Sequence, residues 1–391
     1  MLEQRPSDQF LLQSSSLAIC IAVGVPVLLW GSPGIGKTSI IQEIATSYGL
    51  HLETVIASIR EPSDFSGLPY FEKGVMHLAS PAWAHNVIEQ DKKGTPSLVF
   101  YDEISTAPPA TQAALLRPIL EGVVGETVLP SNARTVAAAN PPRVASNGWD
   151  LTPPAANRFV HLDWDMDAQT MKNGFQNGWP TVQIPQFPSS FSRMVKNAKI
   201  IVGQFIGSNP GLVSLPPEGK SRKKETFSAS DNAYPTPRSW EMVAKLYAAA
   251  KVARFPDGSD VSSGVLTSLI QGTVGIGAAT EFLKFAKSID LPEPKKMLAN
   301  PSIYKDFSHM DKLNVMLSAV KSYVLSYQQH NAYPQLWKQW GNVLTYVYNH
   351  DRADIAFSYT KEWHKARPEG SLIDDSQMKA FGAILKELNG A

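Results

Sequence analysis

Residues 31–38 read Gly-Ser-Pro-Gly-Ile-Gly-Lys-Thr, and they lie between an apolar run at 25–30 and an amphipathic stretch at 39–48. Strand, glycine-rich turn and helix is the setting that a phosphate-binding loop requires. The glycines let successive backbone N–H groups turn inward onto phosphate oxygens, and the helix that opens near Gly36 directs its positive end at the same charge. The spacing therefore predicts that the chain binds a nucleoside triphosphate.

The side chains of this loop indicate how the ligand is held. Lys37 can reach the β- and γ-phosphates, and the Thr38 hydroxyl can coordinate Mg²⁺. The motif leaves open whether the base is adenine or guanine. The residues predicted to contact the nucleotide are Gly31, Ser32, Pro33, Gly34, Ile35, Gly36, Lys37, Thr38 and Ser39.

A second apolar run, Leu-Val-Phe-Tyr at 98–101, ends in the carboxylates Asp102 and Glu103. Such a strand delivers Asp102 beside the Mg²⁺ held by Thr38, where it can accept from a metal-bound water. Glu103 then points at the γ-phosphate and can orient or deprotonate the attacking water. The alternative is an acidic pair that only caps the next helix.

Length and composition bound the class of protein. The 391 residues are enough for two or three domains, and 36 basic against 35 acidic side chains leave no net field that favours nucleic acid or a membrane surface. The single cysteine, Cys20, excludes an internal disulfide and fits a reducing compartment. The eight histidines show no metal-ligand spacing, so zinc is not expected.

The apolar stretch at 10–30 resembles a membrane span or a signal segment. However, polar residues at 13–16 interrupt it, Pro26 falls inside it, and no basic segment precedes it. A buried helix followed by a central strand explains the stretch better. We therefore expect a cytoplasmic protein without membrane insertion.

Strands alternate with helices up to about residue 165, which predicts an α/β fold with a parallel sheet and helices on both faces. Beyond that residue the apolar pattern is helical, with a loop expected at 207–234. The predicted domains are an α/β nucleotide-binding domain (1–165), a helical lid (166–290) and a helical C-terminal extension (291–391). The predicted elements are strands at 51–58, 97–101, 135–139 and 159–164, hairpins at 72–74 and near Gly125, and helices at 82–89, 109–121, 190–206, 239–253 and 261–287.

Three further features have structural rather than functional interpretations. The Gly-Thr-Val-Gly-Ile-Gly run at 272–277 lacks a preceding strand, so it predicts close helix packing and not a dinucleotide loop. The basic cluster at 220–224 predicts a solvated loop. The apolar stripes at 313–324 and 336–347 and the aromatic-rich stretch at 323–363 predict a helical core.

Several short motifs, in their order along the chain, resemble those of AAA+ ATPases. More narrowly, the Pro-Pro-x-x-Gln segment at 108–112, and a Ser-Asp-Phe-Ser-Gly segment with a hairpin that looks like an insert in helix 2, are similar to the MoxR-like group. The resemblance covers about residues 10–290. The shared motifs are 31–38, 102–105, 113–116, 139–141, 157–159 and 237–240.

The resemblance implies roles for three more residues. Asn140, at the end of a strand, would be sensor 1, near the attacking water; an Asx turn before Pro141 is the alternative. Arg158 would be the arginine finger that reaches the γ-phosphate of a neighbouring subunit, with Arg143 as the rival. Arg238, in the first turn of a helix, would be sensor 2.

The resemblance also implies an ATP-hydrolysing ring, expected to be a homo-hexamer, with ATP and Mg²⁺ as cofactors. A MoxR-type motor would remodel a partner protein complex in a chaperone-like role, with a von Willebrand factor A (VWA) domain protein as an expected partner. A motor directed at nucleic acid and a nucleotide-binding scaffold without hydrolysis are the alternatives. Near-neutral charge counts against the first, and intact Asp102 and Glu103 against the second.

Overall fold

The computed structural model describes residues 7–142, 144, 149–215, 228–289 and 293–389. The chain forms two compact units, one made of residues 1–195 and 211–281, the other of residues 196–210 and 282–391. The three-domain division predicted from the sequence stays a prediction. The rival finger Arg143, the basic cluster at 220–224 and residues 216–227 of the loop predicted at 207–234 lie outside the described residues.

The first unit contains all nine strands described. They are β1 Val27–Trp30, β2 His51–Ile56, β3 Leu68–Glu72, β4 Val75–Ala79, β5 Ser97–Asp102, β6 Val123–Val124, β7 Thr127–Val128, β8 Arg134–Ala139 and β9 Val160–Asp163. Its helices are α1 Asp8–Val23, α2 Lys37–Ser47, α3 Ser63–Ser66, α4 Ala82–Lys92, α5 Pro109–Glu121, α6 Pro153–Ala156, α7 Ala168–Asn177, α9 Pro237–Val252 and α10 Ser263–Val274. Two boundaries between the units fall within α8 Phe191–Ser208 and α11 Ile276–Ser288, and the third lies between residues 210 and 211.

Five strands form one parallel sheet in the order β2-β5-β8-β1-β9. All four residues of β1 are buried, as are the first five of β5, because helices cover both faces of such a sheet. Val27 of β1 pairs with Val136 on one side and with Val160 on the other. The predicted α/β fold with a parallel sheet is confirmed, and the carboxyl ends of the strands define one edge of it.

Two antiparallel hairpins stand outside this sheet. β3 and β4 turn at Lys73-Gly74, and β6 and β7 turn at Gly125-Glu126, both at the positions predicted. Gly67 and Gly125 bring the two hairpins together, since a Cβ on either would approach backbone atoms of the neighbouring segment within 3.0 Å.

The region after residue 165 differs from expectation in two respects. Helix α7 was not predicted, and the single helix predicted at 261–287 is wrong, because two helices, α10 and α11, occupy that stretch. Gly275 separates them with φ of 81°, a left-handed backbone that only glycine adopts readily, and a Cβ there would lie 2.9 Å from the carbonyl oxygen of Ala233.

Gly272 corrects a second detail of that stretch. A Cβ at this position would lie 2.2 Å from the backbone oxygen of His161, in β9. The small residue therefore lets α10 approach a strand, whereas the sequence interpretation had two helices packing closely. The result is that α10 lies directly on the edge strand of the sheet.

The second unit is helical, as predicted for this end of the chain. Its remaining helices are α12 Pro294–Ala299, α13 Met310–Leu325, α14 Tyr333–Tyr348, α15 Ala353–Lys365 and α16 Asp375–Asn389. The indoles of Trp337 and Trp363 stack at 4.8 Å between ring centroids and exchange N–H···O=C bonds of 2.8 and 3.1 Å. The aromatic-rich stretch thus builds a buried helical core, as predicted.

Candidate nucleotide site

The glycine-rich loop joins the buried strand β1 to helix α2 at the carboxyl edge of the sheet. Gly34 and Gly36 have φ of 79° and 86°, so the backbone turns there in a way that L side chains resist. Gly31 has no room for a side chain, since a Cβ would lie 2.4 Å from the carbonyl oxygen of Trp164. The loop therefore presents the first N–H groups of α2 as an anion-binding cradle.

Lys37 is the buried charge of the loop. Its Nζ donates to the carbonyl oxygens of Gly31 (2.6 Å) and Ser32 (3.0 Å) and to Oδ1 of Asn140 (2.9 Å). Burial lowers the pKa of Lys37, and the nearby carboxylates of Asp102 and Glu103 oppose that shift. The Lys37 ammonium therefore points at the loop, where phosphate oxygens could take the place of these acceptors.

The end of β5 supplies the carboxylates of Asp102 and Glu103, and the first turn of α2 supplies the hydroxyl of Thr38. The Thr38 hydroxyl donates to Oδ2 of Asp102 over 3.2 Å. These are hard oxygen ligands, and Mg²⁺ binds through one or two carboxylates together with phosphates and water, so the pair fits that ion. Within the described ranges, no group of three or more His, Cys, Asp or Glu side chains could hold a metal on its own.

Glu103 follows the last residue of β5 with φ of 56°, an uncommon backbone conformation for a residue other than glycine. The turn exposes its carboxylate at the carboxyl edge, where the Ser58 hydroxyl donates to Oε2. Ser58 lies in a 3₁₀ turn, Ala57–Ile59, directly after β2. Such a bond fixes the orientation of the Glu103 side chain.

Asn140 follows the last residue of β8, so its side chain lies at the same edge. The buried Ser105 hydroxyl accepts from its backbone N–H (3.3 Å) and donates to its backbone oxygen (3.4 Å). The side-chain oxygen accepts from Lys37. The structure therefore brings Lys37, Thr38, Asp102, Glu103 and Asn140 together, as a parallel sheet with these strand ends predicts.

Arg158 lies at the opposite, amino edge of the sheet. It precedes β9 by two residues, and the backbone N–H of Val160 donates to the oxygen of Pro26 (2.9 Å), before the start of β1. At about 3.3 Å per residue, the four residues from Val27, at the level of Val160, to Gly31 span about 13 Å, and Arg158 lies in the turn that precedes Val160. An arginine side chain does not span that distance.

Arg238 belongs to the same edge. The segment before α9 runs back along β9 from the carboxyl end of that strand to its amino end. The Ala229 N–H donates to Asp163 Oδ1 (2.9 Å) at the carboxyl end, and the Asn157 Nδ2 donates to the Tyr234 oxygen (3.2 Å) near the amino end. The guanidinium of Arg238 is close enough to lower the pKa of Arg158, after the larger effect of burial, while Glu121 and Tyr234 act in the opposite direction.

Asn157 explains how this edge is held together. Its Oδ1 accepts from the hydroxyl of Thr236 (2.7 Å), the N-cap of α9, while its Nδ2 donates to the Tyr234 oxygen. The side chain at position 157 must therefore both donate and accept a hydrogen bond, whereas an ionised carboxylate can only accept.

Sequence reasoning missed Ser58, Ser105 and the bridging role of Asn157. Ser58 had a usable signal, because it closes the predicted strand at 51–58 and the carboxyl ends of parallel strands converge. Ser105 and Asn157 act through hydrogen bonds to residues 35 and 79 positions away, which no local pattern reveals.

The sheet, the glycine-rich loop and the strand-end carboxylates define a P-loop NTPase fold of the α/β class. Residues 27–149 match the family model described as "ATPase family associated with various cellular activities (AAA)", and that match agrees with this fold. No curated protein matches the chain. Within the described part of the chain, every helix is too short or too polar to cross a bilayer.

Two solved structures resemble the chain. A crystal structure of a candidate ATPase from Cytophaga hutchinsonii is 14% identical, with a TM-score of 0.38 over 71% of this chain and 88% of the other. A full-length MCM homolog from Methanopyrus kandleri is 16% identical, with a TM-score of 0.33 over 71% of this chain and 58% of the other.

Proposed function

We propose that the protein is an ATP-hydrolysing ring motor of the MoxR-like AAA+ type, whose nucleotide sites lie between subunits. The observation that carries this proposal is the division of the site residues between two edges. Glu103 and Asp102 lie beside the loop at the carboxyl edge, whereas Arg158 and Arg238 lie at the opposite, amino edge.

The carboxyl edge supplies the hydrolytic half of the proposed site. Lys37 and the loop N–H groups bind the phosphates, and Thr38 and Asp102 hold Mg²⁺, which supplies charge neutralisation at the β- and γ-phosphates when bound. Glu103 accepts a proton from the attacking water or orients it, and Asn140 donates to that water or to the γ-phosphate. Positioning and charge stabilisation account for most catalysis of phosphoryl transfer.

The amino edge supplies the second half. A guanidinium adds positive charge where negative charge spreads over the equatorial oxygens of the transferring phosphoryl group. Because neither Arg158 nor Arg238 spans the distance to its own loop, we propose that both serve the loop of a neighbouring copy. A head-to-tail arrangement of this kind generates a closed ring if the rotation closes, and the expected ring is a homo-hexamer.

The work of the proposed motor is to remodel a protein complex in the cytoplasm. The MoxR-like resemblance supports this, and it makes a VWA-domain protein the first partner to test. The nearly balanced charge of the chain, 36 basic against 35 acidic residues, disfavours nucleic acid as the substrate.

ATPase assays and analytical ultracentrifugation of the purified chain, with and without Mg-ATP, test the proposal. We expect Mg-dependent turnover that rises with protein concentration. Glu103→Gln should keep nucleotide binding and should hydrolyse ATP about 10²–10⁴-fold more slowly, because the general base is removed. It should also favour the assembled form, because the negative charge near the phosphate falls. Glu89→Gln, on the exposed face of α4, is the matched control and keeps the full rate.

A monomer that turns over normally at saturating Mg-ATP would contradict the ring. Undetectable turnover in the assembled protein would instead favour a scaffold, and several-fold stimulation by DNA would favour a nucleic-acid motor.

A further inference from the structure

An exposed apolar stripe lies on α7, on the same side of the sheet as the glycine-rich loop. Met171 and Phe175 are four residues apart and share one helix face, and Trp179 folds back beside them after the helix ends at Asn177. Phe175 is 75% exposed and Trp179 is 54% exposed, with 5.7 Å between their ring centroids. We call these three residues the α7 patch.

The α7 patch is an ordered surface. Asp167 caps α7, where it accepts from the Thr170 N–H (2.9 Å) and from the hydroxyls of Thr170 and Ser7. These bonds lower the pKa of Asp167 to about 2. Gly174 leaves room for the Trp179 ring to pack against α7, because a Cβ at position 174 would lie 2.4 Å from the ring. The indole is therefore held against α7 while much of its surface faces solvent.

Position ties the patch to the nucleotide loop. α7 begins five residues after β9 ends, at the carboxyl edge. The Met166 methyl lies 3.8 Å from where a Cβ on Gly36 would be, and the Trp164 oxygen lies against Gly31. A neighbouring copy that brings Arg158 to this loop also meets α7.

The surface around Arg158 carries apolar side chains of its own. Helix α5 starts after the carboxyl end of β5 and leads back towards the amino end of β8, so its last turn lies towards the amino edge, and it contacts α6, which ends two residues before Arg158. Leu120 is exposed there, and Val128 of β7, which follows the same turn, is 69% exposed. We call Leu120 and Val128 the α5 patch.

We propose that the α7 patch of one copy docks on the α5 patch of the next, and that this contact holds Arg158 at the neighbour's nucleotide. The inference rests on the proposed function. Charge supports the same pairing, because the loop face binds an anionic triphosphate beside Asp102 and Glu103, and the facing surface offers the guanidinium groups of Arg158 and Arg238. Aromatic side chains that are rigidly seated and exposed are typical anchors of protein interfaces.

Single variants of the full chain test the contact. Phe175→Ser should raise the protein concentration at half-assembly in Mg-ATP at least tenfold, while ATP affinity below that concentration stays within twofold of the wild type. Val128→Asp should do the same. Leu372→Ser removes an equally exposed leucine, 79% accessible, from the loop between α15 and α16, and should assemble normally.

A mixture of the two variants gives a sharper result. The Val128→Asp chain keeps an intact α7 patch and the Phe175→Ser chain keeps an intact α5 patch, so one pairing survives. We expect 1:1 heterodimers that do not grow into rings, with one active site each. That activity should depend on Lys37 of the Val128→Asp chain and on Arg158 of the Phe175→Ser chain.

Two outcomes overturn the inference. Normal assembly of Phe175→Ser, in a protein whose wild type assembles and turns over, refutes the contact and leaves the proposed function standing. A tenfold loss of ATP affinity in unassembled Phe175→Ser would make the α7 patch a base-binding surface instead. If the wild type itself never assembles with Mg-ATP, the proposed function fails first.

Discussion

Complementation between two inactive variants is the strongest test of a site shared by neighbouring copies. Arg158→Ala leaves the loop intact, and Lys37→Ala leaves the amino edge intact. Each variant alone should lose turnover, Lys37→Ala because the phosphates are no longer bound and Arg158→Ala by about 10³–10⁵, the effect of removing an arginine finger. Arg254→Ala, an exposed guanidinium paired with Asp260, is the matched control and keeps full activity.

The geometry fixes the magnitude of the rescue. Because Arg158 lies at the opposite edge of the sheet from its own loop, a complete site needs the loop of the Arg158→Ala chain and the arginine of the Lys37→Ala chain. In a random equal mixture about one head-to-tail interface in four has that combination. We therefore expect about a quarter of the wild-type rate per subunit, measured after preincubation and dilution into Mg-ATP.

The refuting result is equally definite. Subunits labelled with two fluorophores show by energy transfer whether the variants mix within one assembly. If they mix and the rate stays at the level of the single variants, Arg158 does not serve the neighbouring loop. The double variant Lys37→Ala/Arg158→Ala, mixed with Arg158→Ala, controls for non-specific activation and should give no rescue. Arg238→Ala in place of Arg158→Ala tests sensor 2 in the same way.

Two other predictions concern the hydrogen bond to the proposed base and the packing of α10. Ser58→Ala should raise the basal ATPase rate about threefold to tenfold in a steady-state assay. A hydrogen bond to a charged acceptor contributes about 1.5–3 kcal/mol at most, and its loss frees the Glu103 carboxylate. A rate that stays equal to that of the control Ser63→Ala would contradict this reasoning. Gly272→Ala should destabilise the first unit by about 1–3 kcal/mol, because the added methyl group overpacks against β9. Gly277→Ala, which has open space at its Cβ, should be neutral or stabilise the unit by about 0.4–1 kcal/mol. Equal melting temperatures for the two variants would refute the packing argument.

The nucleotide-binding half was predictable because its signals are local. The apolar runs that become β1 and β5 are buried on both faces, and each ends in polar residues whose position follows from the parallel sheet. Register therefore carries Thr38, Asp102 and Asn140 to one edge without any knowledge of the rest of the chain. The fold class and the grouping of these side chains could thus be inferred from the sequence alone.

The amino edge was less accessible to prediction, because it depends on how distant segments run. The sequence places Arg238 in the first turn of a helix. Which edge of the sheet it reaches, however, follows from the path of residues 228–236 along β9. Helix α7 escaped prediction for a different reason. Its ten residues are mostly polar, with Met171 and Phe175 as the large apolar side chains, so no long apolar run marks the helix although these two side chains share one face.

The pairing of β1 with β9 gives the proposed ring a mechanical constraint. β9 has four residues in parallel register with β1, from Val27↔Val160 to Trp30↔Asp163. The loop follows one end of this pair and Arg158 precedes the other, and two strands hydrogen-bonded within one sheet do not stretch. A subunit that shifts when its own nucleotide changes must therefore move its arginine by the same rigid displacement at the next site. Sequential hydrolysis around a ring needs such a connection, and here two short strands supply it without a flexible linker.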